Sequence, residues 1–256
     1  MNSLTSLTCA VLLTGSLLSS QTARETTSYL KQAEISETAG KVHIVANSPR
    51  PLAQILDSLR EKYGWAVSYE DPQFISELDL VDAEDPINHA RRTNLPRGGV
   101  FSVEFPSGAE EETTLQLVVD LYNRSNNPGR FELRKSEQRN FSVVGVEARD
   151  RHGQISRQRA LLDVQIMLAT RPRTASETVR LICRQIAAQR GVAVTVGVSP
   201  RKVLDQTALT VGGTNMSARD LLLRTLAATR RTIYWQLLFD PNSKGYFLDI
   251  HLKPTS

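Results

Sequence analysis

Cysteine is nearly missing from this sequence, with two residues in 256. Cys9 sits in an N-terminal apolar run and Cys183 inside a helical pattern, so they build neither a disulfide framework nor a paired-cysteine metal site. Histidine is sparse too. His43, His89, His152 and His251 are scattered, and no H-E-x-x-H pattern occurs. There is no G-x-S-x-G nucleophile elbow and no G-x-x-x-x-G-K phosphate loop. The stretch VGVSPRK (residues 196–202) lacks the glycines that cradle phosphate. With no catalytic constellation, cofactor signature or metal-ligand set, the expectation is a protein that is not an enzyme and that carries no cofactor.

Long hydrophobic runs are also absent. Leu7 to Leu18 is apolar but too short, and too broken by Thr, Ser and Gly, to span a bilayer, and no later stretch approaches that length. The run fits the apolar region of a secretory signal, with cleavage between Ser19 and Ala23. The first Lys or Arg is Arg24, so the leader has only its α-amino charge. Residues 1–23 are therefore expected to be a signal peptide, 24–40 an N-terminal segment, and the mature product periplasmic or secreted.

The chain is 40% hydrophobic and 23% charged, ordinary values for a folded soluble protein. Its net charge of +4 is unevenly spread. Residues 24–147 hold 14 Lys/Arg against 20 Asp/Glu, and residues 148–256 hold 17 against 7. A basic half admits a polyanion partner, and it equally admits attraction between the halves.

The remaining pattern repeats. Val42, Ile44 and Ala46 alternate as a strand, Pro51 suits a helix first turn, and Leu52, Ile55, Leu56, Leu59 and Tyr63 follow at helical spacing. Gly64 stands at the left-handed cap, and Trp65 to Tyr69 reads as a strand. After a long polar stretch come a strand at Val100 to Phe105, a helix striped by Leu115, Val118, Val119 and Tyr122, and strands at 130–135 and 140–147. Residues 148–160 read as a linker. The order then begins again: a strand from Leu161 to Ala169, a helix from the Thr174/Glu177 capping box to Gly191, and a strand at Val192 to Val198. A strand at Thr207 to Val211, a helix carrying Leu221, Leu222 and Leu226, and a final hairpin at 233–252 complete it. Both halves read strand, helix, strand, strand, helix, strand, strand. The expected fold class is α+β, as two tandem βαββαββ-like modules, each a small mixed sheet with two helices.

These residues resemble the short N-terminal domain of bacterial secretins and TonB-dependent receptors. The first copy offers Pro51, Leu52, Leu59, Gly64, Val67, Tyr69, Val103 and Leu115. The second offers Gly191, Val192, Val194 and Val196, then LTVGGTNMSARDLLLRTLAA (residues 209–228). The resemblance spans residues 41–147, with an insertion at 71–98, and 161–253. No pore or barrel sequence accompanies the second copy, so what the resemblance implies is an envelope docking fold that binds proteins or joins assemblies, without conduction or uptake.

Candidate sites are few. Glu77, Asp79, Asp82, Glu84 and Asp85 could serve carboxylate chemistry or Ca²⁺, though their spacing is not an EF-hand. An enzyme with a site in the 71–98 insertion is thus one alternative. Nucleic-acid binding through Arg180, Arg184, Arg219, Arg224, Arg230 and Arg231 is another. The strand–helix order also suits a KH domain, but no G-x-x-G loop is present and export would part the protein from cytoplasmic nucleic acid. Trp65, Trp235, Tyr234 and Tyr246 could form a stacking platform, or could simply be strand and core aromatics. Within the docking reading, an open sheet edge in one module is expected to accept a partner strand, an expectation motivated by the terminal hairpin 233–252 and the lack of a catalytic site.

Overall fold

The structure, a computed structural model, describes residues 32–84, 92–136 and 140–253. The expected signal peptide, Cys9, Asp85, His89 and the turn at 137–139 lie outside them. The described residues form one mixed α+β unit of 14 strands and five helices.

The first half starts with β1 (Glu34–Thr38), which pairs antiparallel with β2 (Lys41–Asn47). Alternation in KVHIVAN buries Val42, Ile44 and Ala46 completely. Helix α1 (Pro51–Tyr63) begins on Pro51 and stops at Gly64, whose φ of 68° places its N–H on the carbonyl of Arg60. Strand β3 (Val67–Glu70) follows. The described part of the expected insertion holds a 3-10 turn and a hairpin of β4 (Leu80–Glu84) with β5 (Arg92–Pro96). Then come β6 (Val100–Pro106), α2 (Glu111–Arg124), β7 (Arg130–Lys135) and β8 (Phe141–Arg149).

The segment read as a linker carries β9 (Ile155–Arg157), which folds back on β8. The strand expected from Leu161 begins later. Leu161–Asp163 is a 3-10 turn, because the Leu162 N–H turns to the carboxylate of buried Glu70 at 3.1 Å. Strand β10 (Gln165–Thr174) leads into α3 (Ala175–Arg190), whose Thr174/Glu177 capping box forms in full. Next are β11 (Val194–Val196), a short helix α4 (Arg201–Gln206) that the sequence reading missed, β12 (Ala208–Ser217) and α5 (Ala218–Ala227). A hairpin of β13 (Ile233–Asp240) and β14 (Gly245–Leu252) ends the fold.

The sheets repeat one scheme. In the first half β2 pairs antiparallel with β6, while β8 lies between parallel β3 and antiparallel β7. In the second half β10 pairs antiparallel with β12, while β14 lies between parallel β11 and antiparallel β13. Strands β3 and β13 then pair in parallel, Gln236 opposite Tyr69 and Leu237 opposite Glu70. The result is one sheet in the order β11-β14-β13-β3-β8-β7. Its cores are two: Ile44, Leu52, Leu59, Leu115 and Phe131 in the first half, and Ile166, Ile182, Leu222, Trp235 and Leu248 in the second. They interlock, since Phe74 enters the second core and Leu238 packs against the first.

Candidate docking edge

The β3–β13 junction shows how this chain holds an added strand. The ladder is short, so side chains fasten it. The Asp71 N–H donates to Leu237 O at 2.8 Å, and Asp71 Oδ2 accepts from the Phe239 N–H at 2.9 Å. Arg50 bridges both partners, donating from Nε to Asp71 Oδ2 at 2.6 Å and from Nη2 to Phe239 O at 2.5 Å. Tyr69 OH also donates to Asp71, at 2.7 Å. Its burial, and then the Asp71 charge, push its phenol well above the ordinary range.

A second clamp lies on the preceding residue, Glu70. Arg219 Nη2 donates to Glu70 Oε2 at 2.5 Å and to Asp163 Oδ1 at 3.2 Å, and Arg134 meets Asp163 at 2.7 Å. Burial works to raise the Asp163 carboxyl, but the hydrogen bond from Arg134 and the charge of Arg219 outweigh it and hold it below its usual value. Burial likewise works against the Arg219 charge, and Glu70 and Asp163 more than restore it. A buried charge persists only when so paired.

The terminal hairpin itself offers no open edge: β14 lies between β11 and β13, and β13 is covered by β3. The strands at the two ends of this order are β11 and β7. Beside β11 runs an open groove of about 710 Å³ between the strand, α3 and α4. Val179, Val194, Val196 and Leu204 give it an apolar floor, and exposed Arg180, Arg184 and Arg201 stand along it against one acid, Asp205. Asp249 holds the Val198 N–H at 2.8 Å, which narrows the usable edge to Val194 and Val196. At the opposite end, Asn123 grips the backbone of Phe131 on β7, accepting its N–H at 2.9 Å and donating to its carbonyl at 2.8 Å.

A larger cleft of about 830 Å³ opens elsewhere, between the segment after β3, the β8–β9 turn and the end of α3. Arg151, His152, Arg190 and Lys244 stand around it with Ile75 and Leu78.

No family model matches this chain, no curated protein matches it, and no solved structure matches its fold.

The sequence candidates are placed as follows. The described members of the acidic run do not gather as a metal site. Asp79 is buried and pairs with Arg149 at 2.5 Å, Asp82 pairs with Arg92 at 2.6 Å, and Glu77 lines the larger cleft. Among the described residues no three His, Cys, Asp or Glu side chains gather as a metal site. Of the arginines read as a phosphate surface, Arg219 turns inward to Glu70, Arg180 and Arg184 flank the β11 groove, and Arg224, Arg230 and Arg231 are exposed on or just after α5. The aromatic platform does not form. Trp235 and Tyr246 are core residues, Trp65 stacks on Tyr63, and Tyr234 stacks on His251 beneath Arg60. Among the described residues, no helix is long and apolar enough to cross a membrane.

Proposed function

We propose that this chain is an exported, non-enzymatic docking or scaffold module of the bacterial envelope, built from two copies of one α+β unit that resembles the secretin and TonB-receptor short N-terminal domain. One observation carries the reading. The chain joins its own halves by laying β13 beside β3, and the strand in the matching place of the second half, β11, is an edge that borders a groove. Strand addition draws affinity from backbone hydrogen bonds and specificity from the pockets beside them. The apolar floor and basic flank of the groove supply those pockets.

Export and docking are tested separately. Fractionation with intact-mass measurement should find a soluble envelope product starting between Ser20 and Arg24; a full-length cytoplasmic product would remove the export part. For docking, a photo-cross-linking residue at exposed Thr195 of β11 should give a discrete adduct, and the same probe at exposed Gln116 of α2 should not. Equal adducts from both positions, or none from Thr195, would sink the docking edge.

A further inference from the structure

We propose that the β11 edge takes a strand of alternating acidic and apolar residues from a partner protein, its acids facing α3 and its apolar residues facing the Phe247 side of the sheet. This rests on the docking reading above and names the chemistry of the occupant.

The backbone leaves two residues to be paired. Ala193 O accepts from the Tyr246 N–H at 2.8 Å, and the Gly197 N–H donates to Leu248 O at 3.0 Å, so Ala193, Thr195 and Gly197 turn their backbone groups to β14. Val194 and Val196 alternate with them and present theirs outward. Val198 is already engaged, its N–H by Asp249 and its carbonyl by the Ile250 N–H at 2.8 Å. A ladder this short has a precedent within the chain. Strands β3 and β13 also pair at two positions, and charged side chains fasten them, Arg50 to Asp71 and Arg219 to Glu70.

The two faces of the edge differ, and each dictates half of the pattern. Val194 and Val196 lie opposite core residues Tyr246 and Leu248, on the face toward α3. There Arg180, Arg184 and Arg201 stand exposed along the groove with one acid, Asp205. Arg180 donates to Ser176 Oγ at 2.7 Å, and none of the three arginines makes an ion pair among the described residues. Arg180 and Arg184 are one helical turn apart, about 6 Å along the axis. Alternate residues of a strand are spaced by about 6.7 Å. Two acids separated by one residue therefore match the two arginines.

The opposite face is apolar. Leu238, Phe247 and Thr195 form one row across β13, β14 and β11. Leu238 packs against the first core, while Phe247 is 42% exposed. An apolar residue between the two acids continues this row beyond Thr195. Asp249 belongs to the same face as Phe247, which disfavours an acid there and fixes the phase of the alternation.

Fluorescence anisotropy with labelled peptides tests this. Glu-Leu-Glu-Leu-Glu-Leu-Glu should bind the protein saturably, and less tightly as salt rises. The same residues ordered Glu-Glu-Glu-Glu-Leu-Leu-Leu should not saturate. Arg180→Glu/Arg184→Glu/Arg201→Glu should weaken the alternating peptide about tenfold, two or three exposed ion pairs being lost. These side chains are exposed, and unchanged circular dichroism and melting confirm the fold. Backbone methylation gives a readout that charge alone does not move. The N–H groups of either the Glu or the Leu residues face β11, and the others face away. One of two peptides, N-methylated at every Glu or at every Leu, should thus lose binding while the other keeps it. An alternating peptide that does not saturate, equal binding of the block peptide, indifference to the triple variant, or equal effects of the two methylations would overturn the proposal. A Thr195 adduct that persists although the alternating peptide fails overturns this occupant and keeps the docking edge. Absence of a Thr195 adduct removes both.

Discussion

Arg219 Nη2 lies 2.5 Å from Glu70 Oε2, joining residues 149 positions apart in the chain. Glu70 is fully buried and Arg219 nearly so. Each charge is tolerable because of the other, and both belong to the seam where β13 meets β3.

Removing one partner of this pair should be costly. Arg219→Met leaves the Glu70 carboxylate buried without its main cation, and should lower stability by about 3–5 kcal/mol in urea unfolding. Glu70→Gln combined with Arg219→Met should recover most of that loss, since the amide still accepts from the Leu162 N–H and no bare charge remains. Equal stability of the single and double variants would show that the pair is not coupled.

Gly145 on β8 packs against Pro72, which follows the Asp71 clamp. A methyl group there would overlap the Pro72 ring and its backbone nitrogen. Gly145→Ala should therefore push the chain leaving β3 away from β8, at a cost of about 1–3 kcal/mol. Thermal melting reads the effect; an unchanged midpoint would mean that the segment yields freely.

Stability should decline in two stages as pH falls. Burial against Tyr234 lowers the His251 pKa, assisted by Arg60 and opposed by Asp249 and Asp57. The unfolded chain then binds this proton first, so stability present above about pH 6.5 is lost as pH drops toward the folded value. Asp163 is also held low, and its contribution is lost below about pH 4. Chemical denaturation across pH should show both declines. His251→Phe should remove the upper one and leave the lower.

Cys183 faces the β11 groove from α3 but is buried, and burial pushes its thiol up to about 12. In a Cys9→Ser background it should resist alkylation at pH 8 and react only on unfolding. Rapid labelling of the folded protein would mean that the groove opens more deeply than its static shape.

Local features were legible where short-range rules apply. Pro51 and Gly64 bound α1, the Thr174/Glu177 box opens α3, and alternation marks β2 and the β13–β14 hairpin. Helix α4 escaped because its six residues are too few to display a 3.6-residue period. The strand start at Leu161 was misread because Leu161 and Leu162 are buried in a 3-10 turn, and apolarity alone does not separate that from a strand. The terminal hairpin suggests an open edge in the sequence alone, since nothing within 233–252 reports that β3 covers β13.

The sequence by itself determined the α+β class and the charge imbalance, because periodicity, capping and composition act over a few residues. Which edges meet and which stay open was decided only in the tertiary structure. Asp71 accepts from the Phe239 N–H across 168 positions, and Arg50 donates to the carbonyl of the same residue across 189. Such contacts depend on three-dimensional complementarity between surfaces that no local pattern encodes, and they close the β3 edge while leaving β11 and β7 at the ends of the sheet.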